Sequence, residues 1–90
     1  MRNDVGAMWE NFIISERIKY LSYNEIFASS YFWRTYTGAE LDYVEEISGQ
    51  LYAYEIKYKK VKLKAPKTWT ENYSNNYKCI TIDNFGEFVV

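Results

Sequence analysis

Three side chains in the middle of the sequence, Asp42, Glu55 and Lys57, have the types and the spacing for chemistry on a phosphate. Two carboxylates that lie close together repel each other and raise each other's pKa unless a cation sits between them. Mg²⁺ suits such a pair, because it takes carboxylate oxygens at about 2.0–2.1 Å and keeps several waters. A lysine beside the pair neutralises charge on a phosphate or holds an attacking water. The set therefore fits the hydrolysis of a phosphodiester.

An exposed hairpin explains the same residues without any chemistry. The triplet Glu55-Ile56-Lys57 is of the Glu-x-Lys type, which is common on exposed strands. Ion pairs on such a surface contribute little to stability. Spacing alone favours this second interpretation, so the elements that position the side chains have to decide between the two.

The three side chains meet only if two neighbouring strands pair in a suitable register. Residues Glu40 to Ile47 and Leu51 to Lys59 are typical of strands, along which side chains alternate between the two faces of a sheet. Ser48-Gly49 between them is a recognised turn dipeptide and favours a two-residue loop. That loop places Asp42 opposite Glu55, with Cβ atoms roughly 4.5–5.5 Å apart.

Other loops give other outcomes. A Gly49-Gln50 loop places Asp42 opposite Lys57 and still keeps the three side chains on one face. A three-residue loop pairs Asp42 with Ile56 and separates the set. The proposed chemistry therefore depends on the geometry of one turn.

A long helix precedes the strands. It begins near Asp4, an N-cap residue type, and its apolar residues recur at helical spacing. The predicted buried stripe comprises Val5, Met8, Trp9, Phe12, Ile13 and Tyr20. Glu10 lies about 100° around the helix from Trp9, at the edge of the stripe. There it is either an exposed residue with Arg17 as its ion-pair partner or a group that reaches a site on the sheet.

The remaining elements complete the order helix, three strands, helix and strand. They are predicted as a strand from Tyr31 to Tyr36, a short helix from Lys67 to Tyr73 after Pro66, a strand from Tyr77 to Ile82 and an apolar tail from Glu87 to Val90 that forms an edge strand or an interface. Because strand-helix-strand crossovers are right-handed and join parallel strands, the last strand should run parallel to the Glu55 strand. We therefore predict an α+β (α/β) fold with a mixed central sheet, flanked by the long N-terminal helix and the short second helix.

Composition limits the classes of function. The 90 residues suffice for one small domain, and the net charge of −1 argues against nucleic-acid binding through bulk charge. The absence of histidine excludes Ser-His and Cys-His catalysis and any His-ligated metal site. Cys79 is the single cysteine, which fits a reducing compartment, and no stretch is apolar enough to span a membrane. We expect a cytoplasmic protein.

Although the net charge is close to zero, six lysines are concentrated within residues 57–67. They are Lys57, Lys59, Lys60, Lys62, Lys64 and Lys67. Such a patch either meets a nucleic-acid backbone or protects an exposed edge strand against aggregation, and the sequence leaves both interpretations open.

Longer runs of residues resemble a known family. The order αβββαβ, with an Asp on the second strand and Glu-x-Lys on the third, is similar to the restriction-endonuclease-like core of the PD-(D/E)XK nuclease-like superfamily. The runs Gly6–Phe12, Tyr31–Thr35, Gly38–Val44 and Tyr54–Lys57 resemble the C-terminal domain of prokaryotic AAA+ ATPases, an uncharacterised family assigned to that superfamily. The resemblance extends from Gly6 to Asn84 and so covers nearly the whole chain.

This resemblance implies a DNA endonuclease that depends on Mg²⁺ or Mn²⁺. Asp42 and Glu55 would be the metal ligands, and Lys57 and Glu10 the catalytic residues. The residues that would grip the nucleic acid are Lys59, Lys60, Lys62, Lys64 and Lys67.

Two alternatives stay open beside the enzyme. The same fold serves a catalytically inactive module that binds nucleic acid or protein, since a fold does not establish an activity. An exposed apolar surface could instead form a homodimer. No Gly-rich Lys-Ser/Thr loop occurs in these residues. We therefore expect a single nuclease-like domain over residues 1–90, a fragment or a free-standing copy, without ATPase activity.

Overall fold

The computed structural model describes residues 4–59 and 64–90. Its elements in chain order are α1 (Asp4–Tyr23), β1 (Ser29–Arg34), β2 (Glu40–Ile47), β3 (Gln50–Ile56), α2 (Lys67–Asn72), β4 (Tyr77–Ile80) and α3 (Gly86–Val89). The predicted order of helix, three strands, helix and strand is confirmed, and a short third helix follows it.

The strands form one mixed sheet in the order β1-β2-β3-β4. β2 pairs antiparallel with both of its neighbours, whereas β3 and β4 are parallel. Parallel neighbours require a crossover connection, and α2 lies in the segment that makes it. The prediction that the last strand runs parallel to the Glu55 strand is therefore confirmed.

The turn between β2 and β3 has two residues, as its sequence predicts. Ser48 and Gly49 have positive φ angles of 52° and 81°, the signature of the type I′ turn that matches the twist of a hairpin. Ile47 pairs with Gln50, and the ladder continues to the pair of Tyr43 and Tyr54. This is the register that directs Asp42 toward Glu55.

A β-bulge interrupts the pairing of β1 with β2. Tyr31 pairs with Val44, but Trp33 pairs with Leu41, so Asp42 and Tyr43 together face Phe32. A bulge of this kind kinks the strand and re-aims its side chains. It falls at Asp42, a residue of the predicted site.

Each face of the sheet has its own apolar core. On the α1 face the core consists of Trp9, Ile13, Tyr43, Ile56, Ile80 and Phe88. On the α2 face it consists of Leu41, Val44, Ala53 and Trp69. Leu41 and Val44 share a face although they are three residues apart, because the bulge lies between them. The two helices thus cover opposite faces, as predicted.

The apolar stripe predicted for α1 is only partly right. Trp9 and Ile13 are buried, but Val5, Met8 and Phe12 are exposed. Positions four apart lie on one side of a helix, and the buried line continues from Ile13 through Arg17 to Leu21. The Arg17 guanidinium pairs with the buried carboxylate of Glu45, with Nε 2.7 Å from Oε2. Arg17 is therefore not the partner of Glu10.

The end of the chain forms a helical turn, so the edge strand suggested for Glu87 to Val90 is wrong. Phe88 is buried and belongs to the α1-side core. Its carbonyl accepts a hydrogen bond from Nη1 of Arg17 at 2.9 Å. Since one side chain binds both Glu45 and Phe88, it joins α1, β2 and α3.

Candidate functional site

Counted from the turn, the hairpin ladder ends at the pair of Tyr43 and Tyr54, so Asp42 lies just beyond it. The side chain of Asp42 there supplies an acceptor that the backbone of β2 no longer provides. Its Oδ2 accepts a hydrogen bond from the backbone N–H of Ile56 at 2.8 Å. The same oxygen lies 3.5 Å from Nζ of Lys57. The Asp42 side chain is 14% exposed, so it is held in place but remains open to a ligand on one side.

Glu55 lies next to Asp42 across the hairpin. The pKa of Glu55 is raised to about 7, mainly by burial and additionally by the neighbouring Asp42 carboxyl group and its charge. Lys57 opposes the shift through its positive charge. The Glu55 carboxyl group therefore holds its proton more tightly than a free glutamic acid does.

Glu10 reaches the same region from α1. Burial is the main cause that raises the pKa of Glu10. The negative charges of Asp42 and Glu40 add to the effect, whereas the positive charge of Lys57 opposes it. Glu10, Glu40 and Asp42 also line a cleft of about 280 Å³, together with Leu41 and residues 32–34 of β1. The structure thus places Glu10 at the rim of the carboxylate cluster and not on the outer face of the helix.

Four of the predicted residues are thus brought into one region: Glu10, Asp42, Glu55 and Lys57. Their arrangement leaves a limited donor set for a metal. Within residues 4–59 and 64–90, no three His, Cys, Asp or Glu side chains converge closely enough to hold an ion. Mg²⁺ does not require such a set, because it is commonly held by one or two carboxylates together with waters and substrate phosphates. Asp42 and Glu55 fit that requirement.

Two residues of β4 join the site although they were not predicted for it. Cys79 pairs with Glu55 in the parallel ladder, and burial followed by the charge of Glu55 raises the pKa of its thiol. Burial and the same charge raise the pKa of Tyr77 to about 12. The sequence held a signal for both, since β4 was expected beside the Glu55 strand, but their pairing required the register.

The predicted nucleic-acid contacts are only partly described. Lys59, Lys64 and Lys67 have exposed side chains. Lys60 and Lys62 lie outside the described residues. The three described lysines lie on the segments that follow β3 and lead into α2, so they do not form part of the carboxylate cluster itself.

The fold and the cluster together define a class of protein: a small α+β domain with a four-stranded mixed sheet, whose hairpin carries two carboxylates and a lysine at its open end. Residues 5–87 match a family model described as a domain of unknown function, DUF4143. The chain belongs to this family, whose domains are typically found with AAA ATPases.

Two curated relatives are similar to part of the chain. They are uncharacterized proteins of Mycobacterium tuberculosis and Mycobacterium bovis, each 42% identical over 53 residues. The match covers 59% of this chain but only 11% of each relative. No solved structure matches the chain. In the part of the chain that the structure describes, no helix has the length and apolar character needed to cross a membrane.

Proposed function

We propose that this domain is a divalent-cation-dependent nuclease of the PD-(D/E)XK type, which hydrolyses phosphodiester bonds, with DNA as the expected substrate. The observation that carries the proposal is the meeting of Asp42, Glu55 and Lys57 at the end of the β2–β3 ladder. The resemblance of four sequence blocks to the C-terminal domain of prokaryotic AAA+ ATPases, a family assigned to the nuclease-like superfamily, supports it. The raised pKa of Glu55 supports it too, because a cation bound there would relieve the repulsion that the Asp42 charge exerts on Glu55.

In this proposal Asp42 and Glu55 hold Mg²⁺ or Mn²⁺. Such an ion, when bound, acts as a Lewis acid toward a phosphoryl oxygen and lowers the pKa of a bound water. Asp42 is already oriented for this task, because its Oδ2 is fixed by the backbone of Ile56. A fixed ligand loses less conformational freedom on binding than a mobile one.

Lys57 and Glu10 would act on the groups around the phosphate. The Lys57 ammonium lies 3.5 Å from Asp42, within reach of a phosphate or a water held at that carboxylate. There it would neutralise developing negative charge. Glu10 has a raised pKa and lies at the rim of the cleft, which suits a group that takes a proton from a water.

The exposed lysines after β3 would contact the nucleic-acid backbone. Lys59, Lys64 and Lys67 are suited to this role by exposure and charge. Since the net charge of the chain is −1, the contact would be local. The family's association with AAA ATPases suggests that an ATPase portion is the partner of this domain. Action on cellular DNA would take place in the cytoplasm.

A binding module without catalysis is the second candidate. It is favoured by the ion pair of Lys57 with Asp42, which neutralises part of the site without a metal. In that case the domain would use the same fold to bind nucleic acid, its ATPase portion or a second copy of itself. The exposed apolar residues of α1, Val5, Met8 and Phe12, are available for a protein contact.

Calorimetric titration with Mg²⁺ and Mn²⁺ separates the two candidates. The native chain should bind at least one cation, and Asp42→Asn should abolish binding, because the amide keeps the shape but loses the charge. Asp83→Asn is the matched control, since Asp83 is exposed in the turn after β4. Plasmid nicking by the native chain and by Asp83→Asn, but not by Asp42→Asn, supports the nuclease. A native chain that binds neither cation leaves only the binding module.

A further inference from the structure

Tyr77, the first residue of β4, has a buried hydroxyl group that no described residue satisfies. Within residues 4–59 and 64–90, its Oη has no hydrogen-bond partner. Most buried hydroxyl groups in proteins are paired, because an unpaired one has lost its hydrogen bonds to water and gained nothing in exchange. An unsatisfied donor that persists in a fold therefore calls for an explanation.

The position of Tyr77 in the sheet places it beside the candidate site. In the parallel ladder Tyr77 pairs with Ala53 and Cys79 pairs with Glu55. Side chains two residues apart on a strand share a face, so Tyr77 and Glu55 are diagonal neighbours on the α2 face. Diagonal neighbours lie roughly 7–8 Å apart, within reach of an aromatic side chain.

Packing fixes the ring of Tyr77. It lies against the α2-side core, whose buried members are Leu41, Val44, Ala53 and Trp69. After burial, the charge of Glu55 is the strongest influence on its hydroxyl, ahead of those of Cys79 and Asp42. Both effects raise the pKa of the hydroxyl, to about 12, and so favour its protonated form, which can donate a hydrogen bond.

We propose that Tyr77 is a positioning residue of the site: its hydroxyl donates a hydrogen bond to the Glu55 carboxylate when that carboxylate binds a divalent cation. The inference rests on the proposed function. It completes a pattern already visible at Asp42, whose oxygen is held by the backbone N–H of Ile56. Residues that hold a metal ligand in this way fix its orientation and strengthen its binding. Tyr77 would do for Glu55 what the hairpin backbone does for Asp42.

Tyr77→Phe tests the proposal, because it removes the hydroxyl and keeps the ring. Without a cation, its thermal midpoint should equal or exceed that of the native chain, since an unpaired buried group is lost. In calorimetric titration, Mn²⁺ should bind about 10–100-fold more weakly than to the native chain, the usual effect of losing a group that orients a ligand. Tyr73→Phe is the matched control, because Tyr73 is half-exposed at the end of α2, and its affinity should be native.

Three other outcomes of these measurements would overturn the proposed role of Tyr77. Equal Mn²⁺ affinities of the native chain and Tyr77→Phe would overturn the role of Tyr77 and leave the nuclease proposal standing. A midpoint that falls by several degrees without a cation would show that the hydroxyl serves the fold and would also overturn it. A native chain that binds neither Mn²⁺ nor Mg²⁺ would overturn both proposals together.

Discussion

Arg17 and Glu45 form a buried ion pair with two hydrogen bonds, from Nε to Oε2 at 2.7 Å and from Nη2 to Oε1 at 2.9 Å. The Glu45 side chain is fully buried and that of Arg17 is 11% exposed. The guanidinium also lies over the ring of Phe88, 4.3 Å from its centroid. The pair therefore joins α1 to the centre of the sheet and to the last helix.

Breaking this pair from one side should be costly. Arg17→Met leaves the Glu45 charge buried without a partner, and we expect a loss of about 3–5 kcal/mol in the free energy of unfolding. Arg17→Met with Glu45→Met should recover most of that loss, because no uncompensated charge remains. Urea denaturation measures both. Lys19→Met is the control, since it breaks an exposed pair with Glu16 and should change stability by less than about 1 kcal/mol. A small effect of Arg17→Met would contradict this account.

Changing glycine to alanine should have opposite effects at two positions. Gly49 has a φ of +81°, and an L-residue there is strained, so Gly49→Ala should lose about 1–2 kcal/mol. Gly6 lies in α1 with nothing within 4 Å of an added Cβ, so Gly6→Ala should gain about 0.5–1 kcal/mol. Thermal denaturation of the two variants checks the prediction. A Gly49→Ala protein that is as stable as the native chain would mean that the hairpin uses another turn.

Stability should depend on pH through Glu55. Its pKa is raised from 4.5 to about 7, so the folded state binds this proton more tightly than the unfolded state. The resulting contribution is fully present below pH 4.5 and is lost as pH rises through about 7. Relative to Glu55→Gln, which does not titrate, the native chain should therefore lose stability between pH 5 and pH 8. Urea denaturation of both proteins across that range measures the difference in their free energies of unfolding. A difference that does not change with pH would refute the raised pKa of Glu55.

The lysine of the site should matter more for activity than its exposed neighbour. If the native chain nicks DNA, Lys57→Met should lower the rate about 10²–10³-fold, comparable to removing one group that stabilises transition-state charge. Lys59→Met should lower it far less, because Lys59 is exposed beyond the end of β3. Comparing the two rates at saturating Mg²⁺ makes the test. Equal losses would assign both lysines to DNA contact alone.

Trp69 should dominate the stability of the α2 face. It is 1% exposed and stacks on Tyr73 with ring centroids 5.1 Å apart. Trp69→Ala should lose about 3–5 kcal/mol, whereas Tyr73→Ala, which truncates a ring that is 55% exposed, should lose less. Chemical denaturation gives both values. Similar losses would mean that the stack, and not burial, holds α2.

Local patterns in the sequence predicted much of the fold. The bounds of β2, Glu40–Ile47, agree with the prediction, because a turn dipeptide follows the strand directly. β1 begins and ends two residues earlier than predicted. It ends at Arg34 because the following residues form a turn, in which the N–H of Gly38 donates to the carbonyl of Thr35. β3 ends at Ile56 and not at Lys59, because the hairpin ladder stops where the Asp42 side chain takes the N–H of Ile56.

What the sequence determined by itself is the order of elements, the hairpin turn and the set of residues that share its open end. These follow from short-range rules: periodicity, turn chemistry and the alternation of side chains along a strand. Only the tertiary structure decided the bulge at Asp42, the choice of Glu45 for Arg17, the approach of Glu10 and the place of Tyr77 beside Glu55. Each of these depends on which distant elements pack together, and that is settled by burial across the whole chain and not by neighbours in sequence.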